Sequence, residues 1–415
     1  MTAGPPDLPH RMASMYAPDP TAMPRLARVE AIHVRVPFRR PLLDATGEYT
    51  HRRSWLLRIV DADGREGLGE AALNPFAEEV TTGSLARLIR DIAEELAAGR
   101  LPVWADLSAE GEPGRAAMAA VDGAIVSLAA ARAATAADGA GRATVAGASG
   151  GAGASTADPN IAATRAPIPV GATIVFGGPD AGADAAAQAV ELGFETLKIR
   201  AGFERATDQL VDRVRAIRAA IGPEPRLRVD AAGAWDLDTA EERIAAIDRF
   251  RIEFVEQPLA PWDLTGHSVL RQRVRVPIAL DESIDSEGSA RAALAEGAAD
   301  VVVVKPARVG GLAATLRIAA AASAAGASVV LGTYFETGVG IAAVLRIAAE
   351  LRASGRWSRN GSESAHSLAT AGVLVHDLLL APLHMEKGRM AVPDAVALDE
   401  SEVDRYAIER FEVVG

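Results

Sequence analysis

The chain predicts an α/β fold: a (β/α)8-type barrel joined to an N-terminal α+β domain that the C-terminal tail completes. Three observations carry this. From Ile168 onward, seven short β-branched runs alternate with amphipathic helical stretches, the pattern of parallel strands joined by helices. The polar residues that interrupt those runs fall at their C-terminal ends, the face where barrels do their chemistry. No glycine-rich phosphate loop follows the first run, which counts against an open dinucleotide-binding sheet.

Taken in order, residues 1–25 are rich in Pro, Ala and Met without periodicity and read as a disordered leader. They lack the apolar core of a secretory signal. Residues 26–133 read as the α+β domain. ARVEAIHVRVPF alternates like a strand, and SWLLRIVDADGREGLGEAAL reads as strand, Asp-Gly turn, strand. Helices are expected over 78–99 and 113–133. Residues 134–165, rich in Ala, Gly, Ser and Thr, read as a flexible insertion. Residues 166–382 hold the barrel, with strands in PVGATIVF, FETLKIR, RLRVD, IEFVEQ, PIALDE, DVVVVKP and SVVLGTYFE and a degenerate eighth unit around 365–382. Residues 383–415 read as strands returning to the first domain.

Composition narrows the function. The 415 residues include no cysteine, which excludes disulfides, thiolate zinc sites, iron–sulfur clusters and cysteine nucleophiles. A net charge of −12 with no basic block argues against nucleic acid or an anionic membrane as partner. No uninterrupted apolar run reaches the ~20 residues that span a bilayer. A cytoplasmic protein acting on a small molecule is expected. Of 43 basic residues only Lys198, Lys305 and Lys387 are lysine. In so arginine-biased a chain, lysine marks places where a group able to lose its proton is wanted.

Two of those lysines sit at strand ends. Lys198 and Arg200 end FETLKIR, Asp230 ends RLRVD, Glu256 ends IEFVEQ, Asp281 and Glu282 end PIALDE, and Lys305 ends DVVVVKP. Each interval is about one βα unit, so five successive strands aim a polar group at one mouth. Three neighbouring carboxylates raise one another's pKa and call for a cation. An all-oxygen donor set points to a hard divalent ion, Mg2+ ahead of Mn2+ and well ahead of zinc. The structural alternative is that the acids pair with barrel arginines. The lysines flank the acids, and nearby cations are expected to depress a lysine pKa enough to make one a base. This arrangement suits removal of a proton α to a carboxylate, with the metal stabilising an enediolate.

With these residues in view, the chain resembles the enolase superfamily, and within it the muconate-lactonizing-enzyme subgroup, over nearly all of residues 28–410. The resemblance implies a capping domain at the N-terminus, with the loop in RRPLLDATGEYTHR as a mobile lid. It implies metal ligands at Asp230, Glu256 and Asp281 and a catalytic lysine at Lys305. KPARVGG, ETGVGIAA and AHSLATAGVLVHDLL are most similar to o-succinylbenzoate synthases. That implies dehydration of a cyclohexadiene carboxylate in menaquinone synthesis. Dipeptide epimerases, N-acylamino-acid racemases and muconate cycloisomerases remain as alternatives. Mandelate-racemase-type chemistry would want a histidine where LGTYFETG has none. Relatives of this kind are often homo-oligomers, which sets the same expectation here.

One departure stands out. The family's second strand usually ends Lys-x-Lys, whereas this chain reads Lys198-Ile199-Arg200. A guanidinium is a poor base. Three readings stay open: Lys305 is the sole base, Lys198 has taken the role, or the family reaction is lost or redirected. Among lesser candidates, Glu282 is expected to orient a ligand or lysine. Glu336 is read as touching substrate or capping a helix. Gly310 and Gly311 are read as letting backbone approach substrate or as turning the chain into a helix. His51 is the one histidine in the candidate lid. Trp235 and Gln257, just past ligand strands, are read as structural.

Overall fold

The computed structural model describes residues 25–43, 47–76, 78–145, 166–174, 178–355 and 364–415. The expected leader (Arg25 aside), most of the expected insertion and the tip of the candidate lid, 44–46, lie outside the described residues.

Three antiparallel strands open the chain: β1 (Leu26–Leu43), β2 (Glu48–Asp61) and β3 (Glu66–Ala71). Three helices follow: α1 (Glu78–Ala97), α2 (Trp104–Ala109) and α3 (Gly111–Val145). Alternation gives the sheet two apolar faces. One packs Val29, Ala31, Leu57 and Ile59 against Leu85, Ile89, Val121 and Ala124 of the helices. The other packs Ile32, Val34, Leu56 and Leu68 against Val339, Leu374, Leu378 and Leu398. Helix α3 lies unusually close to β3, because a Cβ on Gly69 would fall 1.8 Å from the Ala120 carbonyl oxygen. That close approach needs glycine.

Two expectations about α3 are corrected. The helix continues past residue 134 to Val145, because ATAADGAGRATV holds enough alanine to extend a turn already begun. Its Gly111–Thr135 portion is also long and apolar enough to cross a membrane, although Glu112, Arg115, Asp122 and Arg132 interrupt it. Half of that portion is buried inside the protein, as in a core helix.

The barrel begins with β4 (Ile168–Pro169) and β5 (Ala172–Ile174), then α4 (Pro179–Glu191), β6 (Thr196–Arg200), α5 (Thr207–Ile221), β7 (Arg226–Asp230) and α6 (Leu237–Ile247). It continues with β8 (Ile252–Glu256), α7 (Leu264–Arg273), β9 (Ile278–Leu280), α8 (Glu287–Ala295), β10 (Val301–Val304), α9 (Pro306–Val309), α10 (Gly311–Ala324), β11 (Ser328–Leu331) and α11 (Gly338–Ser354). Strands β5 to β11 form one parallel sheet in chain order. The eighth unit is reduced to two residues. His366 pairs in parallel with Val170 and Ser367 with Gly332, which closes the sheet on itself. The His366 ring accepts a hydrogen bond from the Leu331 amide at 3.0 Å, and burial with Arg228 nearby lowers its pKa to about 3, so it stays neutral.

The tail divides. β12 (Met385–Glu386) and β13 (Arg389–Met390) pair with β4 at the entrance to the barrel and not with the first domain as expected, because Ile168–Pro169 offers a free edge there. After α12 (Glu400–Tyr406), β14 (Ala407–Val414) runs antiparallel to β1, from Arg28↔Val414 to Val34↔Ala407. The tail thus completes the N-terminal sheet.

A buried polar junction fastens the two units. Glu70 of β3 accepts hydrogen bonds from Ser54 Oγ (2.7 Å), Thr337 Oγ1 (2.7 Å) and the amide of Gly340 (3.0 Å), capping α11 from across the interface. Glu336 accepts from the Tyr334 amide beside it. Burial and the Glu70 carboxylate push Glu336 up to about 7. A carboxyl raised on folding favours the native state while protonated, and that contribution fades as pH rises from its unfolded value through about 7. Glu336→Gln should therefore be more stable than the parent at pH 8, by an amount on the order of 3 kcal/mol, and no more stable at pH 4. Urea unfolding at the two pH values checks this, and an unchanged difference between them would refute it.

Candidate active site

Strand parity decides which side chains face the barrel lumen. Phe254, Ala279, Val301, Val303 and Val330 pack together there, while Leu197, Val229, Val255, Leu280 and Val304 face the helices. Lys198, Arg200, Asp230, Glu256, Asp281 and Lys305 share the lumen parity. A floor of apolar side chains, with Arg228 lying over the Phe254 ring at 4.6 Å, therefore underlies a charged upper layer. The register sets Arg200 beside Asp230, Asp230 beside Glu256, and Glu256 beside Ala279.

The charged layer is tightly paired. Lys198 Nζ lies 3.0 Å from Asp230 Oδ2 and 2.9 Å from Glu256 Oε1. Arg200 Nη1 donates to Asp230 Oδ2 at 3.1 Å. Lys305 donates to both Asp281 oxygens, and its ammonium lies 5.5 Å from the centroid of the Tyr334 ring. Arg308 Nη1 donates to the Asp281 carbonyl at 2.6 Å and to its Oδ1 at 3.0 Å, and Arg308 Nε donates to the Tyr334 hydroxyl. Gly332 leaves room for the Lys305 stem, since a Cβ there would touch Lys305 Cγ at 3.4 Å.

Burial alone would lower the Lys198 ammonium, but Asp230, Glu256 and Asp281 outweigh it and hold the pKa above the usual value. Acids dominate its surroundings. Burial likewise would raise Asp230 and Asp281. Lys198 and Arg200 keep the first below the usual range, and Lys305 and Arg308 the second. Glu256 goes the other way. Burial, with Asp230 and Asp281 beside it, pushes it up to about 8 even against Lys198. Glu282 is raised by burial and by the same two aspartates.

The donor set fits a hard divalent cation. Oε2 of Glu256 and Oε2 of Glu282 are buried without a hydrogen-bond partner among the described residues. As the side chains stand, Lys198 gathers Asp230 and Glu256 while Lys305 and Arg308 hold Asp281. Among the described residues no three acidic or histidine groups yet converge on one point.

Other candidates lie elsewhere. Glu336 faces Glu70 and Arg52 at the domain junction. Gly310 and Gly311 have φ of +101° and +88° and press against α3, where a Cβ would meet Met118 Cε at 3.2 Å and Asp122 Oδ2 at 2.6 Å respectively. This agrees with the reading that they turn the chain into a helix, since Gly310 caps α10 in a left-handed conformation. His51 contacts Thr50 Oγ1 (2.8 Å) and Arg35 Nη2 (3.3 Å) at the edge of the β1–β2 hairpin. That hairpin leans on the barrel through Phe38, which pairs with Leu374 and meets the Phe335 ring edge-on at 6.1 Å. Sequence reasoning missed Arg308 and Tyr334. Arg308 lies inside KPARVGG, and its spacing of three from Lys305 across the start of α9 was the available signal.

Residues 181–400 match the model of the enolase C-terminal domain-like family. The chain is 44% identical to an o-succinylbenzoate synthase of Thermobifida fusca over 182 residues, 43% of this chain and 54% of that protein. It is 28% identical to an L-Ala-D/L-Glu epimerase of Clostridium acetobutylicum over 306 residues, 73% of this chain and 81% of that one. A dipeptide epimerase of Enterococcus faecalis, solved with Mg and the dipeptide L-Leu-L-Tyr, shares the fold at a TM-score of 0.72 and 23% identity, over 90% of this chain and 98% of that one. With its parallel barrel, its N-terminal sheet domain and a family match over more than half its length, the chain belongs to the enolase superfamily.

Proposed function

We propose that this protein removes a proton α to a carboxylate with the help of a divalent cation, and that its reaction is an o-succinylbenzoate synthase-like dehydration. The observation that carries the reading is the charged layer itself: two lysines from opposite sides of one mouth, each seated on acids that a cation would gather. The similarity to the Thermobifida synthase supports the choice of dehydration. Asp230, Glu256 and Asp281, with Glu282 beside them, would hold Mg2+ or Mn2+, and that ion would supply stabilisation for negative charge on the substrate carboxylate.

Lys305 is the base in this reading. Lys198 sits against Asp230 and Glu256 and acts as a fixed positive charge in this reading. Arg200 keeps its proton. Its side chain is 39% exposed, against 15% for Lys198 and 14% for Lys305, so it anchors Asp230 while offering N–H groups to the mouth. Lys305, as the free amine, takes the α-proton and the C–H electron pair moves into the carboxylate. That pair then expels the β-hydroxyl, to which the Lys305 ammonium returns the proton, and water leaves. One acid/base group suffices for this.

Epimerisation is the second reading, favoured by the longer match to the Clostridium epimerase. It needs a proton donor on the opposite face, where Arg200 is a poor one.

Purified protein with Mg2+, offered the cyclohexadiene carboxylate of the synthase reaction, should form the aromatic product, followed by absorbance. In D2O the unreacted substrate should gain no α-deuterium. Deuterium exchange on a dipeptide panel with no dehydration would favour epimerisation, and turnover of neither would end the proposal. Lys305→Ala should lower kcat about 10³-fold or more with unchanged circular dichroism. Full activity in that variant would remove Lys305 from the role. Arg200→Lys should leave kcat within about tenfold, because a lysine can still pair with Asp230. A larger gain in steady-state rate would mean that the arginine marks a redirected activity.

A further inference from the structure

Gln257 follows Glu256 at the end of β8 and is fully buried. Its backbone has φ +41°, a region that residues with a Cβ seldom occupy, so the surroundings must hold it there. The side chain explains what holds it. Oε1 accepts from the Asp281 amide at 3.0 Å and from the Ser283 amide at 3.2 Å. Nε2 donates to Ser283 Oγ at 2.8 Å and to the Leu259 carbonyl at 3.1 Å. On the main chain, Gln257 N donates to the Ala279 carbonyl at 2.8 Å, and its own carbonyl accepts from Gly233 N at 2.6 Å. One residue thus ties together the ends of β7, β8 and β9, the three strands that carry Asp230, Glu256 and Asp281.

The tie is itself braced. Buried His267, which burial keeps below its usual pKa, accepts from Leu259 N through Nε2 at 3.2 Å, and its Nδ1 lies 2.7 Å from the Asp263 carbonyl. Ser283 Oγ lies 2.9 Å from the Pro261 carbonyl. No apolar side chain of similar size could satisfy the amides of Asp281 and Ser283 and the Leu259 carbonyl together, and each would be left buried and unpaired.

We propose that Gln257 is a positioning residue that fixes Asp281 relative to Glu256 and so sets the affinity for the divalent cation. This rests on the reading of those acids as the cation's holders. Ligands must be held to a fraction of an ångström, and the partners that orient them govern affinity. Gln257 touches the turn that carries one ligand and is the direct chain neighbour of another, so its loss lets the two carboxylates drift apart without altering either.

The test is calorimetric titration of the purified full chain with Mn2+ and with Mg2+, without substrate, alongside thermal unfolding in the absence of added cation. Asp281→Asn is the control for the reading, and Gln257→Met and Ser283→Ala are the variants for the inference. Gln257→Met should weaken cation binding about tenfold or more, and Ser283→Ala by less in the same direction. A purely structural role would lower the unfolding midpoint and leave the dissociation constant unchanged. If the parent binds, Asp281→Asn does not, and both variants bind within twofold of the parent, the inference is overturned while the cation reading stands. If the parent binds no cation, or Asp281→Asn binds as well as the parent, the cation reading falls and takes the inference with it. Should Gln257→Met fail to fold, Gln257→Asn, whose shorter side chain draws the amide away from the Asp281 and Ser283 amides, decides the matter by the same measurement.

Discussion

Neighbouring parallel strands run about 4.8 Å apart, so residues at their ends stand shoulder to shoulder. In this barrel Asp230, Glu256 and Asp281 occupy such neighbouring ends, with carboxyl groups turned into a lumen whose floor is Phe254, Ala279 and valine. Like charges in that setting must be compensated or neutralised. Lysines and arginines do so for Asp230 and Asp281, and Lys198 also reaches Glu256, whose burial still pushes its carboxyl up. The remaining features of the mouth follow from meeting that demand: Lys198 bridging two acids, and Arg308 and Tyr334 bracing the third.

The same demand shapes the supporting backbone. Ala232, Gln257 and Phe335 all adopt positive φ, at 49°, 41° and 61°, and each lies within a few residues of the mouth. Such conformations cost of order 1–3 kcal/mol each and persist only where packing over-determines them. Here they redirect the chain just past a strand end, so that the lumen-facing group stays aimed inward while the loop turns away. Hydrogen bonds from Gln257 hold one of these turns.

The N-terminal sheet domain is bound to the barrel by two different means. Apolar contact between Ile32, Val34 and Leu56 on one side and Val339, Leu374 and Leu378 on the other supplies most of the adhesion, at about 1.5–3 kcal/mol for each fully buried side chain. Glu70 adds direction, because a carboxylate that accepts from the first amides of α11 can sit in only one place. The pairing of β14 with β1 adds a strand from beyond the barrel to the same sheet, so the domain beside the mouth is held by chain that precedes and chain that follows the barrel.

The alternation of β-branched runs and helices was enough to foretell parallel strands, and unit spacing was enough to foretell that Lys198, Asp230, Glu256, Asp281 and Lys305 share one face, since period and spacing are written in the order of residues. Their family likeness was legible for the same reason. What the order of residues does not carry is which non-adjacent groups meet. The two-residue eighth strand at His366–Ser367, the pairing of Met385–Met390 with the barrel entrance, the turning of Glu336 toward Glu70, and the pressing of Gly310 and Gly311 against α3 all depend on long-range packing. So does the standing of Lys198, whose neighbours in space are acids from two other strands and whose neighbours in sequence are apolar. Local pattern fixes the strands and their ends, and only folding brings together the charges that set what those ends can do.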